Sequence, residues 1–272
     1  MSFHVRAPAS TANVGPGFDA AAVALGLWNE LEVSEGDGAA PDFGHLGVRA
    51  FARVTPADDW AFDFTTRIPR ERGLGSSASV IALGLVAGTL AAGRDPDPEE
   101  LLAVGMKLEG HPDNLAAALA GGVCLTWSGR IARIADDVPA VPIAVVPEET
   151  LATSAARTSL PSTVPHRDAA FTAGRAALLG AALASGSSDL LAASLADRIH
   201  EPYRVGRAPL LTAVRERLPR GALGVSLSGS GPSVVVWARR DSAEACEADL
   251  RDRFPEADVL PLGVAAEGAG RV

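Results

Sequence analysis

A segment rich in glycine and serine, PRERGLGSSAS, spans residues 69–79 and joins two stretches of opposite character. Before it, residues 60–66 (WAFDFTT) alternate aromatic side chains with small or polar ones, which is the pattern of a half-buried strand. After it, residues 80–92 are almost all small and apolar, which predicts a buried helix. The chain must therefore turn from a strand into a core helix within this segment, which we call the glycine-serine loop.

The loop has the composition of an anion-binding turn. Gly73 and Gly75 permit positive φ and a close approach of the backbone to a ligand, and Ser76 or Ser77 can cap the helix that follows. Free N–H groups at such a helix start hold phosphate without a lysine. Lys107 is the only lysine in the chain, which excludes a Walker A loop. A serine-capped turn with no ligand is the alternative that this segment alone leaves open.

A polar corner follows at residues 109–114. Asp97 and Pro98 begin a helix that Gly110 ends, and Pro112 starts another helix at once. The corner brings together four polar side chains: Glu109, His111, Asp113 and Asn114. A carboxylate such as Glu109 beside a phosphate site is a natural Mg²⁺ ligand. Capping of the second helix by the last two of these side chains is an equally good interpretation of the corner.

Two more glycine-bearing loops carry polar residues. Asn13 and Asp19 flank the glycine-proline stretch of STANVGPGFD, at residues 10–19. The segment SLSGSGPSVVVW begins at residue 226 and predicts a strand, a loop at 229–231 and a second strand, for which a simple hairpin turn is the strong alternative.

The remaining pattern predicts an α+β protein. Further strands are expected at 3–8, 27–35, 122–128, 131–135, 141–146, 222–228, 232–238 and 257–262, and further helices at 47–54, 167–184, 188–199, 208–218 and 242–253. The closing order of strand, turn, strand, helix and strand predicts an antiparallel sheet with helices on one side. A chain of 272 residues favours two domains, which we divide near Val138–Pro142 into 1–140 and 141–272.

Composition excludes several classes of protein. The net charge of −9, without a cluster of basic residues, argues against a nucleic-acid partner. The longest apolar stretch has roughly 13 residues, short of the roughly 20 that span a bilayer, so no membrane partner is expected. Cys124 and Cys246 lack metal-ligand spacing, and the first residues lack the apolar core of a signal peptide. These features predict a cytoplasmic enzyme with reduced thiols.

Six segments, taken in chain order, resemble those of the GHMP kinases. They are APASTANVGPGFDAAAVAL (7–25), PRERGLGSSAS (69–79), LEGHPDNLAAALAGG (108–122), TSAARTSLP (153–161), HEPYR (200–204) and SLSGSGPSVVVWA (226–238). The second and sixth are typical of the whole superfamily, and the other four resemble its homoserine kinase family. The resemblance implies the GHMP kinase fold, with an N-terminal domain like ribosomal protein S5 and a C-terminal ferredoxin-like α/β sandwich.

The same resemblance implies one activity and two alternative functions. The activity is phosphorylation of the L-homoserine side-chain hydroxyl by ATP with Mg²⁺, on the way to threonine. The alternatives are a GHMP kinase for another small alcohol, such as mevalonate or a sugar, and a non-catalytic binding protein on this fold. A homodimer is usual in the family.

The resemblance also assigns residues. Nucleotide binding falls to the glycine-serine loop: Pro69, Arg70, Glu71, Arg72, Gly73, Leu74, Gly75, Ser76, Ser77, Ala78 and Ser79. Mg²⁺ falls to Ser77 and Glu109. The substrate falls to Asn13, Asp19, His111, Asp113, Thr153, Arg157, Arg204 and Gly229, with both arginines on its carboxylate. The reaction itself falls to Asn114, Asp113, Ser77 and Glu109. One departure is the short region 36–59, where HLGVRAF replaces the usual adenine-pocket segment and puts the pocket around Leu46 to Arg49 in question.

Overall fold

The first sheet forms from strands whose apolar side chains face a layer of helices. The computed structural model describes residues 2–36, 40–151 and 159–272. In the first part of the chain, the elements are β1 (Ser2–Ala12), β2 (Ala21–Glu35), α1 (Leu46–Phe51), β3 (Trp60–Thr65), α2 (Ser76–Ala91), α3 (Pro98–Glu109), α4 (Pro112–Ala120), β4 (Val123–Trp127) and β5 (Arg130–Ala135). Together with β10 (Gly270–Arg271) from the end of the chain, the strand order is β10-β1-β2-β4-β5. Strand β3 also pairs with β2, and every pairing is antiparallel.

Helix α2 lies at the centre of this layer. Its residues 78–89 are all buried, and Ile81, Leu83 and Leu85 pack in one cluster with side chains of β1, β2, α3 and α4. A helix that is apolar on all sides is stable only when it is covered all round. The glycine-serine loop therefore leads directly into the most buried element of this half of the chain.

The second sheet follows a β-α-β-β-α-β order. Its elements are β6 (Val141–Val146), α5 (His166–Ser185), α6 (Ser188–Ser194), α7 (Glu201–Arg204), α8 (Pro209–Glu216), β7 (Ala222–Leu227), β8 (Val234–Ala238), α9 (Ala243–Arg253) and β9 (Asp258–Pro261). The antiparallel strand order is β7-β8-β6-β9. This is the predicted ferredoxin-like arrangement.

Apolar side chains cover both faces of the second sheet. Ile143 and Val145 face α8 and α9, whereas Ala144 and Val146 pack with α5, α6 and residues of the first sheet. The expectation of helices on one side only is therefore wrong. Helices α8 and α9 cover one face, whereas α5 and α6 cover the other face, which also packs on the first sheet. The last strand, β10 (Gly270–Arg271), also returns to β1. The division between 140 and 141 falls between the sheets and stays a prediction.

Local start and stop signals in the sequence are confirmed. Asp97 caps α3 by accepting the N–H groups of Glu99 and Glu100 at 2.9 and 3.0 Å. Gly110 ends this helix with φ +80°, and Pro112 opens α4. These contacts lie within a few residues of one another, so local sequence is enough to predict them.

Several boundaries differ from the sequence-based expectation, and two of them differ by five residues or more. Strand β2 begins at Ala21 rather than residue 27, because residues 21–25 are buried on both faces and lack the alternation that marks a half-buried strand. Helix α6 ends at Ser194 rather than residue 199. The carboxylate of Asp197 accepts the N–H groups of residues 199, 200 and 201, and this turn starts the separate helix α7.

Helix α2 crosses α1 so closely that a side chain at Gly84 has no room. A Cβ atom there would lie 2.1 Å from the carbonyl oxygen of Gly47 and 2.8 Å from the Cβ of Ala50. We expect Gly84→Ala to lower the free energy of unfolding by about 1–3 kcal/mol through overpacking. The matched control is Gly180→Ala in α5, where no atom lies within 4 Å of the added Cβ. That variant should be unchanged or up to about 1 kcal/mol more stable. Urea unfolding compares them, and equal values would contradict the close crossing.

Candidate active site

The glycine-serine loop forms an uncapped helix start. Gly73 and Gly75 have φ of +78° and +67°, and Gly75 is the N-cap residue of α2, with no side chain accepting from the first turn. The N–H of Ser79 is bonded to the carbonyl of Gly75 at 2.9 Å. The N–H groups of the first turn, which precede Ser79, have no partner within the helix, as at any helix start. They point out of the helix end, where an anion can accept from them.

Neither serine caps the helix, so that expectation is wrong. Ser76 Oγ donates to the carbonyl oxygen of Ile68 at 3.1 Å, and Ser77 Oγ donates to Glu109 Oε2 at 2.8 Å. Both hydroxyls therefore have partners outside the helix, Ile68 eight residues before Ser76 and Glu109 32 residues after Ser77. The Ser76 hydroxyl bonds across the base of the loop, and the Ser77 hydroxyl connects the loop to the polar corner.

The glycine-serine loop is held by backbone contacts on two sides. The N–H of Ser10 in β1 donates to the carbonyl of Leu74 at 3.1 Å. On the other side, Ser228 Oγ donates to the carbonyl of Gly73 at 2.7 Å. A Cβ atom on Gly73 would lie 2.2 Å from the carbonyl oxygen of Ser228. The loop at 228–231 is therefore the hairpin turn that the sequence analysis gave as the alternative. It also packs on the glycine-serine loop.

The polar corner packs against the same strand. Asp113 is 3% exposed, and its Oδ1 accepts the N–H of Asn114 at 2.7 Å. Asn114 Oδ1 in turn accepts from Ser10 Oγ at 2.8 Å. Strand β1 therefore fixes the distance between the glycine-serine loop and the corner.

Burial raises the pKa of the Glu109 carboxyl above its ordinary value. The hydrogen bond from Ser77 opposes this shift, and the negative charge of Asp113 adds to it. The protein by itself thus holds Glu109 in surroundings that disfavour its charge. A cation at this position would remove that penalty.

A second cluster of polar groups surrounds the carbonyl of Gly229. Asn13 has φ +72°, a conformation that asparagine tolerates, and its Nδ2 donates to this carbonyl at 2.7 Å while its Oδ1 accepts the N–H of Asp19 at 2.9 Å. Arg204 is 2% exposed, and its Nη1 donates to the same oxygen at 3.3 Å. One carbonyl therefore positions two of the predicted substrate residues.

These groups line one cleft of about 250 Å³. Its lining includes most of the predicted site: Asn13, Asp19, Pro69, Glu71, Gly73, Leu74, Gly75, Ser76, Ser77, Glu109, His111, Asp113, Asn114, Arg204 and Gly229. The side chains of Arg72, Ala78 and Ser79 lie elsewhere. Arg72 Nε donates to the carbonyl of Pro147 at 2.8 Å, and Ser79 Oγ to that of Ala7 at 3.0 Å. Thr153 and Arg157 fall outside the described residues.

A second hollow adjoins the cleft and shares Glu71, Ser76 and Ser77 with it. Its other walls come from Gly44, His45, Leu46, Arg49, Thr66, Arg70 and Val80. This lining mixes apolar and cationic side chains directly beside the helix start.

The described part of the chain contains no cluster of three or more His, Cys, Asp or Glu side chains that could hold a metal ion. Within the same described ranges, no helix is long and apolar enough to cross a membrane.

Comparison with known proteins identifies the family. The model of the GHMP kinases N terminal domain matches residues 46–122, and that of the GHMP kinases C terminal domain matches residues 169–256. A homoserine kinase of Gloeobacter violaceus is 39% identical over 97% of both chains, and one of Streptomyces coelicolor is 39% identical over 90% of this chain and 87% of its own. The chain belongs to the GHMP kinase family.

Solved structures agree with this assignment to the GHMP kinases. A homoserine kinase from Cytophaga hutchinsonii superposes with a TM-score of 0.87 at 26% identity, covering 100% of this chain and 97% of the other. The mevalonate kinase of Methanococcus jannaschii reaches 0.72 at 13% identity over 97% of this chain and 98% of its own, and that likeness shows the fold alone.

Some residues that shape the cleft of this GHMP kinase were missed from the sequence. Ser230 lines the cleft, Ser10 holds Asn114, and His200 contacts Arg204. Each lies inside a motif already singled out, so the motifs carried the signal. What they lacked was the long-range partners: Asn114 for Ser10, 104 residues away, and Gly15 for His200, 185 residues away.

The raised pKa of Glu109 gives a prediction about stability. Because the folded protein disfavours the carboxylate more than the unfolded chain does, Glu109 lowers the free energy of unfolding once the pH exceeds its unfolded pKa. We expect Glu109→Gln, which keeps an acceptor for Ser77, to raise the Tm of the ligand-free protein at pH 8. The gain should shrink as the pH falls toward the ordinary carboxyl pKa of about 4.3.

The matched control for this prediction is Glu100→Gln, which changes an exposed carboxylate on the same helix. It should give no such gain. A Tm of Glu109→Gln that equals or falls below that of the wild type across the pH range would contradict the burial penalty.

Proposed function

We propose that this protein transfers the γ-phosphoryl group of ATP to the side-chain hydroxyl of L-homoserine, giving O-phospho-L-homoserine for threonine synthesis. The observation that carries the proposal is a single cleft that joins the uncapped helix start at Ser76 to the buried cation of Arg204. Such a cleft suits a phosphate donor at one end and a carboxylate-bearing acceptor at the other. The homoserine kinases that match nearly the whole chain support the same substrate.

The nucleotide would lie along the glycine-serine loop. The backbone N–H groups at the start of α2 and the positive end of its dipole favour the phosphates, which replaces the missing lysine. The adjoining hollow around Leu46 to Arg49 would take the adenine. Its apolar and cationic walls, including Val80 and Arg70, suit a flat ring close to phosphates.

Ser77 and Glu109 fit the requirements of Mg²⁺. Both are oxygen ligands, their side chains lie 2.8 Å apart, and the carboxylate gains from a cation because of its burial. When bound, the ion offsets negative charge on the β- and γ-phosphates. Ser77 and Glu109 would hold it between the helix start and the polar corner.

The acceptor would bind at the other end of the cleft. Arg204 would pair with its carboxylate, together with Arg157 and Thr153, since a guanidinium stays charged and matches a carboxylate with two hydrogen bonds. Asn13, Asp19 and His111 would bind the rest of the amino acid, with Gly229 holding both Asn13 and Arg204 in place.

Asn114 and Asp113 would lie beside the reacting hydroxyl. A loose, in-line phosphoryl transfer depends on positioning and charge neutralisation more than on a strong base. Asp113, nearly buried and bonded to the N–H of Asn114, is suited to orient the substrate and to take up its proton only secondarily. The chain's contribution is then mainly to hold donor and acceptor in line.

The direct test is ADP release from ATP and Mg²⁺ by purified protein. We expect release that depends on L-homoserine and exceeds release with mevalonate or galactose. Preference for one of those alcohols would replace the substrate while keeping the kinase. Ligand binding without ADP release would indicate a non-catalytic binding protein.

The two serines of the glycine-serine loop should behave differently. We expect Ser77→Ala to lower kcat by about 10- to 100-fold and to raise the Mg²⁺ concentration needed for half-maximal rate, because a metal ligand is lost. The matched control is Ser76→Ala, which removes only the hydrogen bond to Ile68 and should cost about 1 kcal/mol of stability. An unchanged Mg²⁺ dependence in Ser77→Ala would remove this serine from the metal site.

A further inference from the structure

His200 is completely buried directly behind Arg204. Its ring stacks on Phe18, with centroids 5.0 Å apart and planes 18° apart, and the guanidinium of Arg204 lies 5.3 Å from the same phenyl ring. A buried histidine either only fills space in the core or also makes hydrogen bonds through its ring. The partners of its two ring nitrogens show which of these applies to His200.

Both ring nitrogens of His200 have partners of known character. Nδ1 lies 3.1 Å from Arg204 Nη1, and Nε2 lies 2.6 Å from the carbonyl oxygen of Gly15. A guanidinium only donates and a carbonyl only accepts. The ring is therefore neutral, with its proton on Nε2, and Nδ1 accepts from Arg204.

The surroundings favour this neutral form. Burial lowers the pKa of His200, and the positive charge of Arg204 acts in the same direction, while the carboxylates of Glu201 and Asp197 and the carbonyl of Gly15 oppose it. Asp197 Oδ2 lies 3.7 Å from Nε2.

The backbone under His200 is fixed independently of any ligand. Asp197 accepts the N–H groups of His200 and Glu201 at 2.8 and 2.9 Å. Glu201 is completely buried, accepts the N–H of Leu227 at 2.8 Å and pairs with Arg215. The imidazole is thus presented to Arg204 by a rigid turn.

We propose that His200 is a positioning residue that orients the guanidinium of Arg204 toward the substrate's carboxylate. His200 Nδ1 and the carbonyl of Gly229 both accept from Nη1, which fixes the plane of the guanidinium. The bond from Nε2 to Gly15 fixes the tautomer that makes Nδ1 an acceptor. Because two-point binding of a carboxylate depends on the direction of the fork, His200 acts on substrate affinity through Arg204. This inference rests on the proposed function of Arg204.

Two substitutions test the hydrogen bonds of the two ring nitrogens separately. In His200→Asn, the amide oxygen can take the place of Nδ1 and still accept from Arg204, whereas the bond to Gly15 is lost. In His200→Gln, the amide nitrogen can take the place of Nε2 and still donate to Gly15, whereas the acceptor for Arg204 is lost. We expect His200→Gln to raise the KM for L-homoserine about tenfold or more, the size of a lost hydrogen bond to a charged group.

The expected pattern is selective. The KM for L-homoserine should be at least about fivefold higher in His200→Gln than in His200→Asn, while kcat and the KM for ATP stay within about twofold between the two variants. The matched control is His166→Gln, an exposed histidine at the start of α5, which should leave all constants unchanged. Arg204→Ala gives the loss expected when the guanidinium is absent.

Failure of this inference is distinguishable from failure of the proposed function. If the wild type releases no ADP with L-homoserine, the proposed function is wrong. If it does, equal KM values for L-homoserine in His200→Asn and His200→Gln would overturn the positioning role, whether both equal the wild type or both rise with a lower Tm. Nitrogen NMR of the wild-type protein, which has five histidines, tests the same point without a variant. A proton on Nδ1 of His200 would overturn the proposal.

Discussion

The whole site depends on backbone contacts that only glycine allows, at Gly73 and Gly75. A Cβ atom at Gly75 would lie 2.1 Å from Ser10 Oγ, and one at Gly73 would meet the carbonyl of Ser228 at 2.2 Å. The two glycines are therefore required by close packing as well as by their positive φ. One neighbour lies in strand β1 of the first sheet, and the other lies in the turn that joins β7 and β8 of the second sheet. The helix start that can hold an anion is thus assembled only when both halves of the chain have folded against each other.

Strand β1 carries this constraint to the polar corner. Ser10 uses its N–H on Leu74 and its hydroxyl on Asn114, so one residue of the strand sets two sides of the cleft. Ser77 and Glu109 close the third side. The raised pKa of Glu109 means that this carboxylate lowers the stability of the ligand-free fold at neutral pH. Functional sites often reduce stability in this way.

Sequence patterns predicted the parts of this protein that depend on near neighbours. Asp97 and Gly110 bound a helix through contacts a few residues long, and the apolar run of α2 needs only its own composition. The serine cap was wrong for a physical reason. Ser76 bonds instead to the backbone of Ile68 on the other side of the loop, and Ser77 bonds to Glu109, 32 residues away; a helix-capping pattern contains neither contact. The motifs predicted residues that line one cleft, whereas the chain's tertiary contacts decide which atoms bond to one another.

The hairpin loop at 228–231 contributes Gly229 and Ser230 to the lining of the cleft and contacts both of its ends. Ser228 donates to the carbonyl of Gly73 in the glycine-serine loop, and the carbonyl of the next residue, Gly229, accepts from Asn13 and Arg204 at the other end of the cleft. Two adjacent residues of one strand-to-strand turn thus set the separation of the two ends of the cleft. Phosphoryl transfer gains most of its rate from alignment of donor and acceptor. Because this turn bonds both to the glycine-serine loop and to the end of β1, it is positioned to provide that alignment.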